Sequence, residues 1–305
     1  MTDINVIAGV FDLVGESPFW DRPAGTLHWV DIVGKKIRSL NIKTGSLTSH
    51  DTEDFPTALA LSSRSTAIVA FGQGVFFMDL ANGLLSPVVR PEGGNPVMRL
   101  NEGKCDPRGR FWVASMESNL NTDGSGREME AWCGSLYRID GIEKATRFGA
   151  STYSIPNTMA WSPDRTLFYV GDTLRNQIHV WDYDDESGAI ENRRLFVEGG
   201  PGLPDGACMD SEGFLWSARF GGGRVLRFDP KGKIEREVIL PASNPTACTF
   251  GGEDLKTLFI TSARFGLQEQ QVARNPLEGA IFAVTTDIVG QGENYCALRM
   301  PNQGD

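Results

Sequence analysis

Apolar and polar residues fall along this chain in short runs, and one arrangement of them recurs six times. Each copy has a small or polar residue entering a short strand, then a turn, a strongly apolar strand, a second turn, and a third strand that ends in a Gly turn. The predicted middle strands read LHWVDI from Leu27, TAIVAF from Thr66, FWVASM from Phe111, LFYVGD from Leu167, LWSARF from Leu215 and LFITSA from Leu258. They are spaced by roughly 40 to 56 residues, the signature of a repeat architecture. The turns before them, among them DRPAGT, DPRGR, SPDRT and DSEG, carry the Asp, Ser, Pro and Gly that stabilise tight turns. The strands after them alternate apolar with polar, as half-buried strands should. Six such sheets predict an all-β fold, a six-bladed β-propeller forming a single domain over residues 1–305, in which radial closure protects the sheet edges. A β-sandwich is the structural competitor, but it rarely repeats one motif six times in register. The segment INVIAGVFDLV ahead of the first unit is expected to close the ring against the last blade. Residues 117–132, ESNLNTDGSGREMEAW, form the longest irregular insertion and are expected to cover one mouth of the propeller.

Composition narrows the partners more than the fold. Basic residues number 29 against 39 acidic, and the net charge of −10 argues against nucleic acid or anionic lipid as a partner. No run approaches the roughly 18 unbroken apolar residues of a membrane helix. The N-terminus has Asp3 and no Lys or Arg before Arg22, so it lacks the cationic region of a secretory signal. The five cysteines are odd in number, widely spaced and free of any CxxC, which fits reduced thiols and a cytoplasmic location.

In a propeller the innermost strands line a central channel, so residues in the same phase of each first strand should meet at the axis. Those residues are Glu16, Thr57, Asn101, Asn157, Asp205 and Thr246. Glu16, Asn157 and Asp205 together offer hard oxygen donors with a charge of −2, a set that suits one divalent ion, Ca²⁺, Mg²⁺ or Mn²⁺, and can hold Zn²⁺. Taken singly, each of these is also an ordinary turn residue at a loop-to-strand junction; agreement in phase is what favours a central metal site.

These residues and several longer blocks resemble the gluconolactonase, regucalcin (senescence marker protein) and luciferin-regenerating-enzyme family of six-bladed propellers. The blocks are RLNEGKCDPRGRFWVASM, GSLYRID, NRR at Asn192, LPDGACMDSEGFLW with GGRVLRFDP, and CTFGGEDLKTLFITSAR. The resemblance implies that Glu16, Asn157 and Asp205 are the protein ligands of a single divalent metal. It also implies that Arg99 and Asn101 contact substrate oxygens beside it, although in some relatives the position matching Asn101 ligates the metal instead. Glu130 matches a glutamate that reaches over the substrate in regucalcin-like members. Thr158 stands where a glycine is common, and is expected to narrow the pocket.

The reaction implied is metal-dependent hydrolysis of a sugar lactone to its aldonic acid, with Asp205 as the catalytic group that orients or deprotonates the attacking water. The alternatives are a metal-dependent hydrolase of another ester or an organophosphate, and a non-catalytic metal-binding propeller. Other motifs are weaker. The three histidines, His28, His50 and His179, show no metal or triad pairing, there is no GxSxG elbow, and GGGR at Gly221 reads as a blade turn. Asn119, Asn121, Asp123, Gly124 and Glu130 fall at EF-hand loop spacings, but strands rather than helices are predicted on either side.

Overall fold

The structure, a computed structural model, describes residues 4–7 and 9–300. Six four-stranded antiparallel sheets surround one axis. The innermost strands are Gly15–Asp21, Pro56–Leu61, Met98–Cys105, Pro156–Trp161, Leu203–Met209 and Pro245–Gly251. Each touches the innermost strands of both neighbours, and the sixth closes against the first. The predicted middle strands follow as Thr26–Asp31, Thr66–Phe71, Phe111–Glu117, Leu167–Asp172, Leu215–Phe220 and Thr257–Ser262. The turns that lead into them are held by their first polar residue: Asp106 Oδ1 accepts from the Arg108 and Arg110 N–H groups, and Asp210 Oδ1 from those of Glu212 and Phe214.

Each blade has four strands where the sequence pattern predicted three. The outer ones are Leu47–Asp51, Leu85–Val89, Lys144–Tyr153, Ile190–Glu198 and Ile234–Ile239. Their residues are mostly exposed or half-buried, as in IENRRLFVE of Ile190–Glu198, so no buried face imposes an apolar alternation that could reveal them. The sixth outer strand comes from the other end of the chain. Ile4–Val6 pairs with Phe282–Thr285 in the register Ile4↔Val284, Asn5↔Ala283 and Val6↔Phe282, so the N-terminal segment closes the ring as expected.

The cores lie between blades. Trp112, Trp161 and Phe168 pack between the third and fourth, with the Trp161 and Phe168 rings stacked at 4.4 Å, while Trp20, Trp29 and Phe259 join the sixth to the first. Burying Trp29, Trp112 and Trp216 also requires a partner for each indole N–H; Asp12, Asp106 and Asp210 accept them at 2.7, 3.0 and 2.8 Å.

The two mouths of the channel are closed differently. Over one, the insertion in the third blade crosses the axis: Leu120 bridges Gly126, Gly124 lies against Val33 of the first blade, and Gly126 faces Phe265 after the sixth. At the other, residues 290–297 run back under the ring, with Gln291 bonded to Met209, Cys296 to Leu61 and Ala297 to Gly109. Glu293 from this segment enters the channel, where its carboxylate meets the Lys104 ammonium at 3.0 Å and accepts from Thr249 Oγ1 at 2.7 Å. All five cysteines are free. Among the described residues no helix is long and apolar enough to cross a membrane.

Candidate active site

Under the insertion the channel opens into a cavity of about 870 Å³, mouth included. Of the six residues chosen by phase, Glu16, Asn101, Asn157, Asp205 and Thr246 line it. Thr57 does not; its hydroxyl donates to the Ala70 carbonyl of its own blade. A backbone irregularity helps to bring the other five to the axis. In every inner strand the pairing slips beside the axial position, as between Glu16 and Phe19, Leu100 and Gly103, Asn157 and Ala160, and Pro204 and Ala207. Such bulges bend a strand and re-aim a side chain. The strands also crowd together here: a Cβ on Gly206, next to Asp205, would lie 2.4 Å from that of Ala247, so only glycine fits.

Hydrogen bonds join the polar residues of the floor into one chain. Arg99 Nη1 donates to Asn101 Oδ1 at 2.7 Å, and Asn101 Nδ2 donates to Asn157 Oδ1 and the Pro156 carbonyl, both at 3.0 Å. Asn157 Nδ2 donates to Thr173 Oγ1 at 2.9 Å, and Thr173 Oγ1 to the Pro204 carbonyl at 2.8 Å, immediately before Asp205. Because Thr173 holds the nitrogen of Asn157, the amide oxygen is the end turned toward Asn101. The oxygen of Asn101 is in turn taken by Arg99, so Asn101 presents its nitrogen to its neighbours.

Glu16 and Asp205 are 8% and 7% exposed, and this burial is the main reason both carboxyls sit well above the usual carboxylate range. Asp205 and Glu102 push Glu16 further up by repulsion, and Glu102 does the same to Asp205. Burial likewise draws the Arg99 guanidinium down to about 10, against the pull of Glu16 and Asp205. Two buried carboxyls that resist ionising together, with an amide oxygen nearby, form a hard-oxygen donor set that a divalent cation fits. Among the described residues no three His, Cys, Asp or Glu side chains come together as a cluster, so a third protein donor beside Glu16 and Asp205 would have to be an amide such as that of Asn157.

Two expectations from the sequence change. Thr158 does not narrow the cavity. Its side chain is fully buried, its backbone is left-handed at φ 56°, and its hydroxyl donates to the Asp205 carbonyl, tying the fourth blade to the fifth. Glu130 is exposed and absent from the lining; its backbone N–H donates to Glu117. The EF-hand spacing gathers no ligand set: Asn119 accepts from Arg99, whereas Asn121 and Asp123 are engaged by Ser125.

Two contributors escaped the sequence reading. Asn119 Oδ1 accepts from Arg99 Nε and Nη2 at 3.2 and 2.9 Å, fixing the guanidinium from the insertion side. Arg219, fully buried, donates to the Pro201, Gly199 and Gly202 carbonyls and to Asn176, clamping the loop that leads to Asp205. Neither belongs to the repeating phase that singled out the axial residues. The histidines lie outside the cavity lining, with His28 bonded to Ser39 and His50 to the Leu80 carbonyl.

Comparison with known proteins finds similarity over most of the chain. The family model for the SMP-30/Gluconolactonase/LRE-like region matches residues 14–264. A 6-deoxy-6-sulfogluconolactonase of Pseudomonas putida is 34% identical over 283 residues, covering 92% of this chain and 94% of that protein. Regucalcin of Danio rerio is 35% identical over 275 residues, covering 89% and 90%. Among solved structures, a calcium-binding protein, regucalcin, from Agrobacterium tumefaciens superposes with a TM-score of 0.90 at 31% identity, covering 97% of this chain and 98% of that one.

Proposed function

The chain belongs to the SMP-30/gluconolactonase/LRE-like family, and from that premise we propose that it hydrolyses a sugar lactone to the aldonic acid in the axial cavity, with one divalent cation held by Glu16, Asn157 and Asp205. The observation that carries this reading is the convergence of those three oxygen-bearing side chains, 141 and 48 residues apart in sequence, beside the Arg99 guanidinium in one cavity. The relatives support it: one is a 6-deoxy-6-sulfogluconolactonase by name, and another is a calcium-binding protein by name.

Bound there, a divalent cation would polarise the lactone carbonyl and make water more acidic. The chain's own groups supply the rest. The Asp205 carboxylate accepts the proton of the attacking water as its oxygen bonds to the acyl carbon. When the bond from acyl carbon to ring oxygen breaks, that proton goes to the departing oxygen, leaving a hydroxy acid. Arg99, held by Asn101 and Asn119, faces the negative charge that builds on the carbonyl oxygen, a placement that needs no reorganisation during the reaction. Asn101 and Thr173 keep the Asn157 amide turned the right way.

The test is acid release from aldonolactones in a pH-indicator assay. Turnover should disappear with EDTA and return when a divalent metal is added back. Asp205→Asn should lower kcat by about 10²- to 10⁴-fold while the melting transition survives. EDTA-resistant turnover, or near-normal turnover in Asp205→Asn, would remove the proposed chemistry; release from an aryl or phosphate ester alone would move the protein to another hydrolase class.

A further inference from the structure

The cavity lining combines one bonded set of polar groups with a larger set of apolar side chains. Its polar groups are largely bonded to one another: Arg99 Nη1 is taken by Asn101 and the Leu100 carbonyl, Nε and Nη2 by Asn119. Thr173 is held between Asn157 and the Pro204 carbonyl, and the Thr246 hydroxyl is engaged by Gly15 and Thr261. Few donors remain for the several hydroxyls of a hexonolactone. Much of the remaining lining is apolar, with Val33, Leu120, Leu174, Leu203, Phe220 and Phe265 drawn from the first blade, the insertion, the fourth and fifth blades and the loop after the sixth. Leu174 is 44% exposed, a large apolar surface at the cavity.

The charge of the site sharpens this. Among the described residues lining the cavity Arg99 is the only cation, and it faces Glu16 and Asp205. A carboxylate, sulfonate or phosphate on the arm of a substrate would lie against the apolar walls with no opposite charge to receive it. A hydroxylated arm would lose water there without gaining partners, whereas each buried methylene is worth about a fourfold gain in binding.

We propose that the preferred substrate is an uncharged sugar lactone with an apolar arm, of the deoxy-sugar class, its ester beside Glu16 and Asp205 and its arm against Leu174, Phe220 and Phe265. This rests on the lactonase reading but can fail without it. The deciding experiment measures kcat/KM of the metal-supplemented protein for four kinds of lactone: glucono-1,5-lactone, a 6-deoxyhexonolactone, an acid-bearing aldarolactone, and γ-butyrolactones with arms lengthened one carbon at a time. The 6-deoxy compound should exceed glucono-1,5-lactone by about tenfold, the acidic lactone should be slowest, and each added carbon should raise kcat/KM about threefold to fourfold until the cavity is filled. Leu174→Asn should shrink the advantage of the alkyl lactones over glucono-1,5-lactone by about tenfold. Equal or better turnover of the fully hydroxylated or acidic lactone would overturn the proposal while leaving the lactonase reading in place. If no lactone is opened, that reading fails and binding decides the proposal. Calorimetric titration of the same protein with tetrahydropyrans bearing alkyl or hydroxymethyl arms should give tighter binding and a negative heat-capacity change for the alkyl series. Tighter binding of the hydroxymethyl series would reject it.

Discussion

Thr158 is the residue where local strain and site geometry meet. A β-branched side chain at φ 56° is disfavoured, at a cost of about 1–3 kcal/mol, and its hydroxyl bond to the Asp205 carbonyl is the visible compensation. Thr158→Val keeps the branching and loses the bond, so it should reduce stability by about 1–2 kcal/mol and lower kcat by loosening Asp205, as urea melts and steady-state kinetics would report. A variant with wild-type kcat and stability would deny the hydroxyl that part. His28 gives a pH prediction of definite sign. Burial lowers its pKa to about 4 from an unfolded value near 6.5. Below 6.5 the unfolded chain therefore binds a proton that the native state refuses, and stability present at higher pH is lost as pH falls toward 4. Between pH 7 and 5 the wild type should lose about 2 kcal/mol more than His28→Gln in urea melts, and parallel pH curves would contradict this. At this scale the sequence revealed the axial residues because Glu16, Asn101, Asn157 and Asp205 share one phase of a repeat. It did not reveal Asn119 or Arg219, whose partners are a guanidinium and loop carbonyls brought near only by folding.

The elements repeat the lesson in another form. The inner and middle strands were legible because burial forces runs such as TAIVAF and LFYVGD to be apolar, and polar turns punctuate them. The outer strands were not, because a strand at the rim buries little and carries no pattern of its own. The bulges beside Glu16, Asn157 and Asp205 were invisible for a related reason: a slip in register is a property of two paired strands, and no single run of residues records it. The insertion shows how an irregular element acquires a role. Its Asn119 fixes Arg99 and its Leu120 walls the cavity. Replacing residues 119–131 by a short turn should leave the six sheets folded, yet raise KM and lower kcat together for any lactone that is turned over. Infrared amide I or far-ultraviolet circular dichroism spectra would check the fold, and unchanged kinetics would mean the insertion is only a cover.

At the scale of the molecule, six sheets become a site only because the ring closes. The pairing of Ile4–Val6 with Phe282–Thr285 completes the sixth blade, and contact between the first and sixth inner strands brings Glu16 around to Asp205. Ionising two buried carboxyls side by side is costly, and the proposed cation at the axis would offset that cost. Under the proposed function the apolar walls would select among lactones. The far mouth, with Lys104 and Glu293 paired inside it, gave no signal in sequence, since residues 290–297 carry neither repeat nor periodicity. The most direct test of the whole account is anomalous diffraction from crystals grown with manganese or zinc. The account predicts one strong peak within ligand distance of Glu16, Asn157 and Asp205, absent from Glu16→Gln crystals; an axis without a peak in the wild type, or a peak bound elsewhere, would contradict it.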